Sequence, residues 1–282
     1  MFIIMGGTGH VGSAVADALL RDGEDVTIVT RSAQSAVPWR ARGASIAVAD
    51  LNDAGGLRDV FRMGRRALLL NPPADPSEDT DAVEHRTVDN ILDALEGSGL
   101  EKVVAVSTYG AARGERIGDL GTLWRMERGL AQQEIPAAVN RGAYYMSNWN
   151  GVIDAARESG ALPTMLPADL TMPMVAPADV GEAAAQRLVS DVDDIGIRYV
   201  EGPRRYTAAD VARVFARQLN REVRLEVIPP EDLEATFTAL GFSPAAASSY
   251  AGMTRLTIDG PELPDAPWRG STTLEQYVKS VL

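Results

Sequence analysis

A short apolar run, Met1-Phe2-Ile3-Ile4-Met5, passes without a gap into Gly6-Gly7-Thr8-Gly9-His10-Val11-Gly12. A buried strand that turns through glycines into a helix leaves the first N–H groups of that helix unpaired. It also aims the positive end of the helix dipole into the turn. A dinucleotide pyrophosphate fits such a cradle. The run satisfies G-x-G-x-x-G through Gly7, Gly9 and Gly12, and G-x-x-G-x-x-G through Gly6, Gly9 and Gly12, so spacing alone leaves the subclass open. Thr8, His10 and Val11 lie between the glycines and complete the candidate phosphate site, His10 through its backbone N–H.

Glycines also collect in ordinary turns, so the context of this run matters. Residues 10–21 place Val11, Val15, Ala18 and Leu19 on one helical face, Gly23 follows as a stop, and residues 26–30 form a β-branched strand. Strand, glycine turn, helix and strand make the βαβ unit that the motif requires. At the end of the second strand, an acidic residue would accept hydrogen bonds from a ribose 2′-OH, whereas a cation would pair with a 2′-phosphate. This chain has Arg31 with Ser32 beside it, which predicts NADP(H) in preference to NAD(H).

The alternation continues, with strands expected at residues 45–49, 67–70, 102–107 and 137–140 and helices at 54–62, 79–96 and 119–133. Continuous apolar strands alternating with helices predict a Rossmann-type doubly wound α/β fold, whose ligands bind beyond the carboxyl ends of the strands. The strand ends then map one crevice. Asp50 suits an adenine amino group with Leu51 against the ring, while Asn71 follows the fourth strand and Pro72 and Pro73 form a rigid wall near the nicotinamide-side ribose. Ser107 and Tyr109 follow the fifth strand, and Tyr109 is the best-placed phenol for a proton donor. Taken singly, each of these is also an ordinary strand-end residue. Their coincidence is what favours a site.

Past residue 145 the pattern loosens. Residues 1–150 read as the dinucleotide-binding domain and 151–282 as a smaller α/β lobe that closes over the crevice, with exchange of strands between the two allowed. Tyr144, Tyr145 and Trp149 stand out in a chain that is only 6% aromatic. They suggest an apolar slot for a flat substrate, or equally a packing cluster at the junction.

A net charge of −12 argues against nucleic-acid binding, because a phosphate backbone would be repelled over most of the surface. The absence of cysteine excludes thiolate metal sites and cysteine nucleophiles, and two histidines, His10 and His85, exclude a histidine-rich metal site; no metal is expected. No apolar run reaches membrane-spanning length, so a cytoplasmic protein is expected.

The residues resemble those of the NmrA-like group of atypical short-chain dehydrogenase/reductases, which includes type-two quinone oxidoreductases, triphenylmethane reductases and redox-sensing regulators. The likeness lies in the Gly6 to Gly12 loop, Arg31, Asp50-Leu51, and Ile135-Pro136 leading to Asn140-Arg141-Gly142. It continues through Met146-Ser147-Asn148-Trp149, Met174 to Val180, Glu201-Gly202-Pro203 and Thr272-Thr273-Leu274. The resemblance favours the Gly6, Gly9, Gly12 spacing. It implies an NADP(H)-binding domain with a small carboxyl-terminal lobe and a substrate cleft between them, and it is compatible with a homodimer.

Catalytic members of the wider superfamily usually carry Y-x-x-x-K. Here the corresponding helix reads Gly121-Thr122-Leu123-Trp124-Arg125-Met126-Glu127-Arg128, and arginine stays protonated. Three readings follow. A reductase acting on a small quinone-like or aromatic acceptor needs no dedicated acid, because hydride transfer yields a stabilised anion. A non-catalytic sensor of the NADPH/NADP balance would act through a protein partner. An isomerase or epimerase would need a strong base that the chain lacks.

Overall fold

The computed structural model describes residues 1–282. In chain order the first half forms β1 (Phe2–Met5), α1 (His10–Arg21), β2 (Val26–Thr30), α2 (Val37–Arg40), β3 (Ser45–Val48), α3 (Ala54–Phe61), β4 (Arg66–Leu69), α4 (Thr80–Leu95), β5 (Lys102–Thr108), α5 (Asp119–Leu130), β6 (Ala137–Gly142) and β7 (Tyr144–Tyr145). A 3₁₀ segment over Met146–Val152 leads into α6 (Ile153–Glu158), β8 (Ala161–Thr164), β9 (Met172–Val175), α7 (Pro177–Val189), β10 (Gly196–Glu201), β11 (Arg205–Tyr206), α8 (Ala208–Leu219) and β12 (Arg224–Val227). The chain ends with α9 (Leu233–Ala239), α10 (Pro244–Asp259), β13 (Trp268–Arg269) and α11 (Leu274–Val281).

Apolar, β-branched runs become central strands covered on both faces: every residue of β1 and β2 is buried. Helix starts are written locally. Asp53 caps α3 by accepting the Gly56 N–H at 3.0 Å, and Thr207 with Asp210, and Thr273 with Gln276, form capping boxes on α8 and α11.

The main sheet has eight parallel strands in the order β13-β10-β6-β5-β4-β1-β2-β3. Register places Ile4 opposite both Ile28 and Leu68, and Leu68 opposite Val104. The chain runs outward from β1 through β2 and β3, then returns to β4 and runs the other way. The order therefore reverses between β1 and β4, and the carboxyl ends of those strands open the crevice that binds ligands in such sheets. One apolar core lies on each face of the sheet, with α1 against α7 on one side and α3, α4 and α5 on the other.

Residues past 150 do not stay in one lobe. The alanine-rich α7 packs on α1, β10 pairs with β6 and β13 with β10, so the large sheet takes two strands from the second half. The smaller lobe holds the β11-β9-β7 sheet, the β12-β8 pair and α6, α8 and α11 around Met146, Trp149, Phe215 and Leu274, with α9 and α10 packed on a separate cluster of Leu233, Phe237, Ala247 and Ala251. No helix is long and apolar enough to cross a membrane.

Candidate active site

The glycine loop is drawn tight by its own backbone. Gly6 takes a φ of 61°, Gly9 N–H donates to the Gly6 carbonyl at 2.9 Å, and Gly9 is the N-cap of α1 with no side-chain cap. The first N–H groups of α1 are thus left for a ligand. Thr8, Gly9 and His10 are exposed on this rim, whereas Val11 and Gly12 are buried, so Val11 can contribute only its backbone. A Cβ on Gly12 would stand 2.3 Å from the Gly6 oxygen and 2.5 Å from its carbonyl carbon, so α1 approaches the loop as closely as glycine permits.

At the end of β2, Arg31 is exposed and lines an open recess with Val48, Ala49, Asp50 and Asn52. The Ser32 backbone N–H donates to Thr30 Oγ1 at 3.2 Å, and Thr30 Oγ1 donates in turn to the Ser32 carbonyl at 3.1 Å, which orients the turn. Asp50 accepts the Asn52 N–H and Nδ2 at 2.9 and 3.0 Å. Those bonds, helped by the Arg31 charge, hold its carboxyl below its usual range. The recess therefore carries one guanidinium with no ion-pair partner and one firmly ionised carboxylate. Leu51 packs toward the core, and its carbonyl accepts Asn90 Nδ2 from α4 at 2.8 Å.

Asn71, Pro72 and Pro73 follow the end of β4, and both polar atoms of the Asn71 amide are buried without a partner. Such a group wants a ligand or water.

Ser107 and Tyr109 are placed differently from expectation. Ser107 is 1% exposed and its hydroxyl donates to Glu127 Oε1 at 2.5 Å, so it is spent inside the protein. Glu127 is also held by Arg141, with Nε to Oε1 at 2.8 Å and Nη2 to Oε2 at 2.6 Å. Tyr109 is buried, edge-on to Tyr199, and its hydroxyl donates to Glu201 Oε1 at 3.0 Å. Burial, with the Glu201 charge next, raises its pKa far above the phenol range. A phenol that already gives its proton to a buried carboxylate is a poor donor to substrate, and the expectation for Tyr109 is corrected accordingly. Glu201, fully buried, is balanced by Arg205 and Arg269 at 3.0 and 3.1 Å, so this group ties the large sheet to the small lobe.

The aromatic trio divides. Trp149 is buried in the small-lobe core, edge-on to Tyr144 at 6.2 Å, and belongs to packing rather than to a slot. Tyr145 packs against the main core and stays half-buried. Burial raises the pKa of both tyrosines, that of Tyr144 to about 12, and the Asp119 charge adds to the rise at Tyr145.

Two groups were not foreseen. Phe237, Phe242 and Tyr250 on α9, α10 and their connection pack tilted or edge-on to one another, ring centres 5.0–5.5 Å apart. Ser243, the N-cap of α10, ties this wall to the loop after β4: its N–H donates to the Pro76 carbonyl at 2.8 Å and its hydroxyl to that of Glu78 at 2.6 Å. The second group is Glu84 on α4 with Asp119 on α5. A signal for Glu84 existed, since Thr80, Glu84, Thr87, Val88 and Ile91 fall on one helical face and all are buried.

Comparison with known proteins agrees with this fold. The NmrA-like family model matches residues 1–255. An NAD(P)H azoreductase of Xenophilus azovorans is 24% identical over 251 residues, covering 88% of this chain and 84% of the relative. Among solved structures, the NADPH-dependent quinone oxidoreductase QOR2 of Escherichia coli, complexed with NADPH, superimposes with a TM-score of 0.82 at 20% identity, covering 100% of this chain and 99% of its own. The triphenylmethane reductase of Citrobacter sp., complexed with NADP(H), gives a TM-score of 0.83 at 18% identity with the same coverage.

Proposed function

This chain belongs to the NmrA-like family, and we propose that it is an NADPH-dependent reductase that delivers hydride directly to a small flat acceptor, quinone-like or otherwise aromatic. The observation that carries the reading is the pairing of an uncapped helix N-terminus at Gly9 with the unpaired guanidinium of Arg31 at the end of β2. The first suits a pyrophosphate and the second a 2′-phosphate. The nature of the relatives, which reduce azo compounds, quinones and triphenylmethane dyes by their names, supports the choice of acceptor.

The chain's residues would act by holding and enclosing. Backbone N–H groups of residues 10–12 grip the pyrophosphate, Arg31 and Ser32 the 2′-phosphate, and Asp50 with Leu51 the adenine. Asn71 offers its unpaired amide on the nicotinamide side, with Pro72 and Pro73 as a stiff wall. Bound there, the nicotinamide supplies a hydride, and an electron-poor acceptor needs mainly proximity to receive it. Tyr145 and the Phe237, Phe242 and Tyr250 cluster form apolar walls for such an acceptor, contributed from the small-lobe side. We place the protein in the cytoplasm, and a homodimer is consistent with this reading.

The test is oxidation of NADPH by the purified protein with a panel of quinones and azo dyes, followed by nicotinamide absorbance. Turnover is the expected result. Tight binding with no turnover would instead favour a redox sensor acting through a protein partner. The cofactor choice has its own check. Arg31→Asp removes charge-assisted hydrogen bonds of about 1.5–3 kcal/mol, so NADPH affinity should fall about 10- to 150-fold while NADH binding holds or improves. Unchanged affinities in a binding titration would discard the role given to Arg31.

A further inference from the structure

Most tyrosine hydroxyls of this chain are engaged within the protein. That of Tyr109 donates to Glu201 and that of Tyr277 to Asn150 Oδ1 at 3.1 Å, while that of Tyr199 accepts Arg141 Nη1 and that of Tyr206 the Leu274 N–H, both at 3.1 Å. Of the other three, Tyr144 packs edge-on to Trp149 on the small-lobe core, and Tyr250 belongs to the aromatic cluster of α9 and α10. Tyr145 alone lies against the large sheet. Its hydroxyl makes no hydrogen bond within the protein, yet it is not among the unpartnered atoms sealed from solvent. A half-buried phenol with a free and reachable oxygen has a donor to offer.

Its neighbours place this phenol at the crevice. Tyr145 closes β7 and pairs with Val175 of β9 in the small-lobe sheet. The ring nevertheless lies on the large sheet: a Cβ at Gly142 would stand 2.9 Å from Tyr145 Cε1, 3.3 Å from its hydroxyl oxygen and 3.5 Å from Val180 Cγ2. Gly142 is the last residue of β6, level with Thr108 at the end of β5, and the missing side chain is what makes room for the phenol. Val180 lies in the first turn of α7. Its neighbour Gly181 approaches α1 so closely that a Cβ would stand 2.9 Å from the Val11 carbonyl oxygen, just past the glycine loop. The phenol oxygen therefore sits at the carboxyl end of β6, beside the helix that packs on the start of α1. The sheet order is β6-β5-β4-β1-β2-β3. With Arg31 after β2 and Asp50 after β3 marking the adenosine half of the crevice, the nicotinamide half extends over β4, β5 and β6. Tyr145 stands on that half, between the two lobes. Burial, with the Asp119 charge next, raises its pKa well above the phenol range, so the donor keeps its proton at physiological pH.

Resting on the reductase reading above, we propose that the Tyr145 hydroxyl donates a hydrogen bond to the acceptor oxygen on which charge develops. A quinone that accepts hydride gains an electron pair and becomes the hydroquinone monoanion. A solvent proton then completes the two-electron reduction, and NADPH has become NADP⁺. The phenol O–H stays intact throughout and stabilises the oxygen anion as it forms. Such a donor acts where charge appears, so it raises kcat more than it tightens binding of the neutral quinone. One consequence separates two kinds of acceptor. A triarylmethyl cation that accepts hydride becomes a neutral triarylmethane: no anion forms and no proton is consumed, so the same hydroxyl has nothing to stabilise.

The experiment compares wild type with Tyr145→Phe, which keeps the ring and removes only the hydroxyl. NADPH is the donor and the acceptors are 1,4-benzoquinone and the crystal violet cation, followed by nicotinamide absorbance and by bleaching of the dye. The ratio of quinone kcat to cation kcat should fall about 10- to 150-fold in the variant, the range for one hydrogen bond to a charged group. That ratio, taken within one preparation, does not depend on the fraction of protein that is folded, so a less stable variant gives the same answer. An unchanged ratio, whether both rates hold or both fall together, would overturn the proposal and leave the reductase reading standing. Wild type that reduces the cation alone would overturn it too. If wild type reduces the quinone alone, the same fall in quinone kcat at unchanged melting temperature supports the proposal, and an unchanged kcat overturns it. Wild-type protein that binds NADPH but reduces neither acceptor would overturn the reductase reading and this one with it.

Discussion

Gly12→Ala is expected to abolish binding of NADPH. In a titration that saturates the wild type, the variant should show no saturable signal at cofactor concentrations about 100-fold higher, a loss of more than about 2.7 kcal/mol. The new Cβ would lie 2.3, 2.5 and 2.8 Å from the Gly6 oxygen, the Gly6 carbonyl carbon and the Gly7 nitrogen. All three are backbone atoms, so no flexible side chain can yield. Relief must come from moving α1 away from the loop or from opening the turn that the Gly9 to Gly6 hydrogen bond closes. Either movement, of order 1 Å, takes the N–H groups off the phosphate positions together, and charge-assisted hydrogen bonds weaken steeply with misalignment. Overpacking also costs about 1–3 kcal/mol of stability. A melt must therefore accompany the titration: a variant that remains folded without binding isolates the loop, and one that binds normally would show that the pyrophosphate lies elsewhere.

That loop was legible in the sequence because everything it needs is local: apolar strand, glycines at fixed spacing, helix. The same holds for the strands of the main sheet, where β-branched runs report burial on both faces. Side-chain partners were not legible, because they are remote in sequence. Ser107 meets Glu127 and Arg141 across two other elements, and Tyr109 meets Glu201 from β10, 92 residues on. A strand-end position brings a residue to the crevice rim without saying where its side chain is satisfied.

Trp149 takes the packing alternative for a reason of local geometry. The segment Met146–Val152 is a 3₁₀ helix, whose three-residue period puts Met146 and Trp149 on the same inward face, at 0% and 4% exposure. Reading that stretch as alternating extended chain spreads the rings over both sides. The return of α7 and β10 to the large sheet had a signal, since Ala183, Ala184 and Ala185 permit the close packing of α7 on α1. Composition alone does not say which helix is the partner.

The second large effect concerns the ion pair between Glu127 on α5 and Arg141 on β6. Glu127 and Arg141 are 8% and 14% exposed at the side chain, with both guanidinium–carboxylate bonds under 3 Å and the Ser107 hydroxyl on the same oxygen as Arg141 Nε. Glu127→Ala leaves a guanidinium and a hydroxyl buried without an acceptor. It should therefore cost about 3–5 kcal/mol in denaturant unfolding, or roughly 10 °C in melting temperature. Arg141→Ala should cost as much, since it strands the carboxylate and also removes the guanidinium that lies 5.6 Å from the Tyr199 ring. Removing both should cost much less than the sum, because neither charge is then left uncompensated, and the double-mutant cycle should return a coupling above about 1.5 kcal/mol. A coupling near zero would mean that water reaches the pair and that it behaves as an exposed bridge. In that case Leu123, Met126 and Leu130 would hold α5 to the sheet by apolar contact alone.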